Sequence, residues 1–114
     1  MDITAIEGQD LLAVTFIQDY VQFDFNGPEL TLYNWPAVFL SEGSYEFGEP
    51  GYRDALCSLI SENVTTTSFE IGIALEIEFE NGVILRSSLR DEDYQGPEAG
   101  QFSTGEEGDP LEVF

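Results

Sequence analysis

Ile71-Gly72-Ile73-Ala74-Leu75-Glu76-Ile77-Glu78-Phe79-Glu80-Asn81-Gly82-Val83-Ile84-Leu85-Arg86-Ser87-Ser88-Leu89 is the stretch whose reading decides the fold. Ile71, Ile73, Leu75, Ile77 and Phe79 alternate with Gly72, Ala74, Glu76, Glu78 and Glu80, the period-two signature of a half-buried strand. A turn follows at Asn81-Gly82. A two-residue turn there would set Ile77 against Arg86 and mix the faces. A three-residue loop, Glu80-Asn81-Gly82 with Gly82 left-handed, pairs Phe79 with Val83 and Ile77 with Leu85, and sets Glu76 across from Arg86 on the wet face. The bulged register is therefore the expectation.

The same alternation recurs upstream, from Leu11 to Leu40. A tight turn at Gln18-Asp19 pairs Phe16 with Val21 and Val14 with Phe23. A four-residue loop at Asn26-Gly27-Pro28-Glu29 pairs Phe25 with Leu30 and Phe23 with Leu32. All three strands then agree on one apolar face, because a slip of one residue would invert every side chain. Pro36 interrupts, and Ala37 to Leu40 reads as a short further strand. Ser41 to Gly51 is polar and reads as a loop. Tyr52, Ala55, Leu56, Leu59 and Ile60 form one helical stripe. With Pro50 in the first turn, Asp54 at the positive end and Asn63 at the C-terminal turn, the stripe predicts a helix over about 51–62. Val64 to Phe69 is β-branched and reads as a strand. Residues 91–110 form an acidic loop carrying glycines and prolines. Leu111 to Phe114 reads as a last strand that closes the sheet. The two hairpins at Val21–Gly27 and Leu75–Gly82 look alike, as either a duplication or two independent amphipathic hairpins would make them. The expectation is one α+β domain over residues 1–114: a mainly antiparallel, strongly curved sheet of about seven strands with one packed helix.

Charge narrows the function. The 114 residues carry 23 Asp and Glu, three arginines (Arg53, Arg86, Arg90), no lysine and no histidine, for a net charge of −20. There is no imidazole to shuttle protons or bind zinc, and no amine for a Schiff base. Nucleic acid is not an expected ligand, since a polyanion demands neutralising Lys and Arg. Nine Phe, five Tyr and one Trp argue for a folded core despite the charge. The single cysteine, Cys57, allows no intramolecular disulfide and points to the cytoplasm. The stretch MDITAIEGQD lacks the features of a signal peptide, and no apolar run reaches the length of a membrane helix. No membrane partner and no cofactor are expected, and self-association stays open.

Several residues are candidates for chemistry or contact. Asp91-Glu92-Asp93-Tyr94-Gln95-Gly96 resembles the opening of a calcium loop, but Phe102 stands where the bidentate glutamate belongs, so a solvated acidic loop is the reading and no metal is expected. Glu76, Glu78 and Glu80 line one strand face. Their spacing suits a solvated face or a partner contact better than a glycosidase pair. Cys57 has no histidine to activate it and reads as a small buried or edge-filling thiol. Tyr20, Tyr33 and Trp35 gather on the face opposite the first hairpin's core, with Ile17 nearby. Such a patch is either an exposed contact centre or covered by a further layer. The arginines read as ion-pair partners, Arg86 with Glu76 among them. The contact candidates are thus Glu76, Glu78, Tyr20, Tyr33 and Trp35, with no catalytic residue expected.

Over residues 64–114 the chain resembles small acidic bacterial domains of unknown function, some of which act as immunity proteins beside toxins. The resemblance lies in the acidic balance, in Phe79-Glu80-Asn81-Gly82 followed by Val83-Ile84-Leu85-Arg86, in Gly96-Pro97-Glu98-Ala99, and in Leu111-Glu112-Val113-Phe114. It implies stoichiometric binding of another protein and carries no site residue over. Together with the charge, the expectation is a non-enzymatic acidic binding module, an immunity-type inhibitor of a basic partner. One alternative is a structural or scaffolding subunit of a salt-adapted proteome. A remoter one is a small-molecule binder or enzyme. Carboxylates clustered on one face would favour a partner, and carboxylates spread over the surface would favour salt adaptation.

Overall fold

The 71–89 stretch folds as two strands, β7 (Ala74–Phe79) and β8 (Ile84–Ser88), in a computed structural model that describes residues 2–114. The bulged register holds: Ile77 pairs with Leu85 and Glu76 with Arg86, the Phe79 N–H donates to the Val83 carbonyl at 2.9 Å, and Gly82 is left-handed at φ 89°. Before them run β1 (Ala13–Ile17), β2 (Tyr20–Asp24), β3 (Glu29–Leu32), β4 (Ala37–Leu40), β5 (Gly43–Tyr45), helix α1 (Tyr52–Cys57) and β6 (Val64–Glu70). After them come β9 (Gly100–Ser103) and β10 (Glu112–Val113).

The α+β, antiparallel character holds, but the single curved sheet of about seven strands does not. Among the described residues ten strands make two five-stranded sheets, ordered β1-β2-β3-β9-β10 and β5-β4-β8-β7-β6. Neither closes, and β10 is an edge strand. The strands that sequence reading missed, β5 and β9, lie in glycine- and serine-bearing segments expected to be loops, the second of them inside 91–110. They have little strand character of their own and are held by pairing with β4 and β3. One apolar core takes side chains from both sheets, Phe23, Phe25, Leu30 and Phe102 from one and Val38, Leu75, Ile77 and Phe79 from the other, together with Leu56 and Leu59.

The element order runs twice. A helical turn (Ile3–Ile6, then α1) precedes a three-stranded meander (β1-β2-β3, then β6-β7-β8) and a hairpin (β4-β5, then β9-β10). Each hairpin crosses to the other repeat: β4 pairs with β8, and β9 with β3. The registers correspond. Phe16 opposite Val21 matches Phe69 opposite Leu75, and Phe23 opposite Leu30 matches Ile77 opposite Leu85. The repeats meet at a bridge between Asp10 and Asn63. On either side of it the Leu11 N–H donates to the Glu62 carbonyl at 3.0 Å and the Val64 N–H to the Gln9 carbonyl at 2.9 Å.

Four local expectations shift. Phe23 pairs with Leu30 rather than Leu32, and Val21 with Leu32. Phe25 instead opens the turn, its N–H donating to the Pro28 carbonyl at 2.8 Å. A slip of two keeps every side chain on its face, so the hydrophobic pattern tolerates either register. Ile71 and Ile73 are 87% and 50% exposed, because they sit in the β6–β7 turn, where the Ile73 N–H donates to the Glu70 carbonyl at 3.0 Å. The helix over about 51–62 is only six residues of α-helix. Beyond Cys57 the chain tightens into three-residue turns, Leu59 N–H to Leu56 and Ile60 N–H to Cys57, both at 3.1 Å. It then reverses at Ser61 to enter the seam, which leaves Ile60 exposed. Asn63 does not cap the helix; its Nδ2 donates to the Gly8 carbonyl at 2.8 Å and to Asp10 Oδ1 at 3.1 Å. Among the described residues no helix is long and apolar enough to cross a membrane.

Candidate functional site: an aromatic groove edged with carboxylates

Trp35 lies in the short linker from β3 to β4. Its neighbour Asn34 anchors that linker to the opposite sheet: Nδ2 donates to the Ser88 carbonyl at 3.0 Å, and the Asn34 carbonyl accepts from Ser87 Oγ at 3.1 Å. The indole is thereby presented between two rings. It stacks on Phe47 at 4.4 Å and 20°, and on Phe16 at 6.5 Å and 13°. The outer ring, Phe47, is 56% exposed. It meets Tyr52 edge-on at 6.0 Å, and Tyr52 is itself buried with its hydroxyl donating to the Pro36 carbonyl. That burial pushes the Tyr52 phenol well above its ordinary pKa. At the far end of the ring stack the Arg53 guanidinium lies over Phe16, with Cζ 6.0 Å from the centroid.

Trp35 and Phe47 open onto a surface groove of about 580 Å³. Tyr33 and Tyr94 also line it, as do the carboxyl-bearing residues Asp19, Asp93 and Glu98. Tyr33 is held by an edge contact with Tyr20 at 5.7 Å and by the side-chain amide of Gln101, which donates to its hydroxyl. Arg86 is paired with Glu76, and Arg90 with Glu92. Among the described residues Arg53 makes no ion pair and has only its ring contact. The groove thus joins flat π-faces to negative charge, with no cation among the described residues lining it.

Of the residues expected from sequence, Tyr33 and Trp35 line this groove, and Tyr20 supports Tyr33 from beside it. Trp35 is half-buried between Phe16 and Phe47 rather than free on a sheet face. Glu76 and Glu78 lie elsewhere, on β7 of the second sheet. Glu78 is exposed and Glu76 is taken up by Arg86. Cys57 is exposed at the end of α1. Asp91 to Asp93 form one 3-10 turn, in which Asp93 accepts from Ser88 Oγ at 2.5 Å and Asp91 from the Tyr94 hydroxyl at 3.4 Å. Among the described residues no three His, Cys, Asp or Glu side chains gather as a metal site requires. Sequence reading named none of Asp19, Phe47, Asp93, Tyr94 and Glu98 as contact residues, and read Asp93 and Tyr94 only as part of a solvated acidic loop. The one available signal was Phe47 itself, which with Tyr45 is one of two large aromatics in the polar run from Ser41 to Gly51.

The second repeat has its own groove, of about 690 Å³, at the corresponding place. Phe69 and Phe114 line it, in edge contact at 5.5 Å. They stand where Phe16 and Phe47 stand in the first repeat. Ile71-Gly72 occupies the turn that Gln18-Asp19 occupies there, an apolar turn in place of a polar one, and Asp91, Tyr94 and Glu112 also line this second groove. No protein-family model, no curated protein and no solved structure matches the chain, and its function is read from these residues.

Proposed function

We propose that this chain is a non-enzymatic acidic module that binds a basic protein surface, as an immunity-type inhibitor does. The observation that carries the reading is the groove at Tyr33, Trp35 and Phe47, where rigid aromatic rings meet Asp19, Asp93 and Glu98. Rings of this kind contact a partner at little entropic cost, and surrounding charge selects its sign and speeds encounter. A net charge of −20 extends that field beyond the groove. The setting is the cytoplasm, where a lone exposed thiol stays reduced.

The test is capture of a partner from the source lysate, followed by association kinetics at two salt concentrations. A basic partner should be retained, with an on-rate that falls steeply as salt rises. Glu78→Lys should slow association and leave the fold intact, since Glu78 is exposed. Glu76→Lys is the poorer probe, because it would set a second cation against Arg86 across the β7–β8 pair. Recovery of no basic partner, together with turnover of a small molecule by the purified protein, would overturn the reading.

One observation favours the salt-adapted alternative. Exposed carboxylates are spread over the molecule, from Asp2 and Glu7 through Glu29, Glu49 and Glu78 to Glu106 and Asp109. Under that reading stability depends on salt and no basic partner exists.

A further inference from the structure

We infer that the groove at Trp35 and Phe47 receives the guanidinium of an arginine side chain from the basic partner, an inference that rests on the binding-module reading and names its point of contact. Two observations support it. The groove pairs ring faces (Tyr33, Trp35, Phe47) with carboxylates (Asp19, Asp93, Glu98). A guanidinium is the cation that uses both, because its plane stacks on a ring while its edge forks a carboxylate. The chain already shows the ring half of this contact within itself, since Arg53 lies over Phe16 at the other end of the same ring stack.

Trp35 is the only tryptophan, so its fluorescence reports on this groove and nowhere else. The probe is the peptide acetyl-Gly-Arg-Gly-amide, titrated into the whole protein beside the same peptide with citrulline, which has the shape without the charge, and with lysine, which has the charge without the plane. The arginine peptide should give a saturable change in Trp35 emission. The citrulline and lysine peptides should bind at least several-fold more weakly. Asp19→Asn combined with Glu98→Gln should weaken the arginine peptide by about tenfold. Neither carboxylate holds a strand in place, and an unchanged thermal midpoint confirms that the double variant is folded. Arginine selectivity with loss in the double variant supports the inference. No saturable response, equal binding of citrulline or lysine, or full binding by the folded double variant overturns it. A silent Trp35 with a basic partner still captured would overturn the groove assignment and leave the binding-module reading standing. Arginine-peptide binding with no partner retained would do the reverse.

Discussion

Ser61 is the residue where the repeat exacts a cost. It is left-handed, at φ 79°, and it occupies the place in the second repeat that Gly8, at φ 84°, occupies in the first. Both lie beside the Asp10–Asn63 seam, where the Ser61 N–H donates to the Leu11 carbonyl at 2.7 Å and the Gly8 N–H to the Val64 carbonyl at 2.8 Å. Glycine adopts this backbone freely and serine does not. Ser61→Gly should therefore stabilise the fold by about 1 kcal/mol in denaturant unfolding. Gly100 presents a spatial constraint instead. A Cβ there would sit 2.4 Å from the Thr31 carbonyl and 2.6 Å from the Phe114 ring. Gly100→Ala should cost about 1–3 kcal/mol, because β3 or Phe114 must move. Tyr52 links residue to pH. Its phenol is held neutral by burial, so its folded pKa lies above the unfolded value of 10.0. Above that value the unfolded chain binds fewer protons than the folded one. The contribution is thus fully present below about pH 10 and is lost as pH climbs toward the raised folded value. Tyr52→Phe should lower neutral-pH stability by about 1 kcal/mol, through loss of the hydrogen bond to Pro36, and should flatten the alkaline decline.

At the scale of elements, β7 separates what periodicity predicts from where a strand ends. Alternation runs unbroken from Ile71 to Phe79, yet the strand begins at Ala74. Leu75 and Ile77 enter the core, and Ile71 and Ile73 do not. Leu75→Ala should cost about 2–5 kcal/mol, as should Leu56→Ala on α1. Ile73→Ala should stay within about 0.5 kcal/mol, as an exposed turn position does. Equal losses at Leu75 and Ile73 in urea unfolding would show that the strand extends through the turn. Helix α1 depends on its surroundings in the same way. Six residues are too few to hold a helix alone. Tyr52, Ala55 and Leu56 are buried, and that packing holds it.

For the whole molecule, the controlling quantity is charge. Only two ion pairs with arginine, Arg86–Glu76 and Arg90–Glu92, join described residues, against a net charge of −20. Repulsion among the carboxylates should make the thermal midpoint rise with sodium chloride from low to moderate concentration, since screening relieves it. A flat or falling midpoint in scanning calorimetry would show that the spread of carboxylates over both sheets already keeps repulsion small.

Local physics was legible in the residues. Alternation located β1, β2, β3 and β7, the apolar faces chose the bulged Asn81-Gly82 register, and the lack of histidine and lysine limited the chemistry. The β2–β3 register was not legible to within two residues, because a slip of two leaves every face unchanged. Nor was the pairing of β4 with β8 and of β9 with β3, which puts the hairpins of the two repeats in each other's sheets. Strand order depends on contacts between residues far apart in the chain, and no local period encodes it. The groove follows from that exchange. Trp35 comes from the linker after β3, Phe47 from beyond β5, and Asp93 and Glu98 from the segment before β9. From sequence, Tyr33 and Trp35 could be named as contact residues, but only the crossing of the hairpins adds Asp93 and Glu98 to Asp19 beside them.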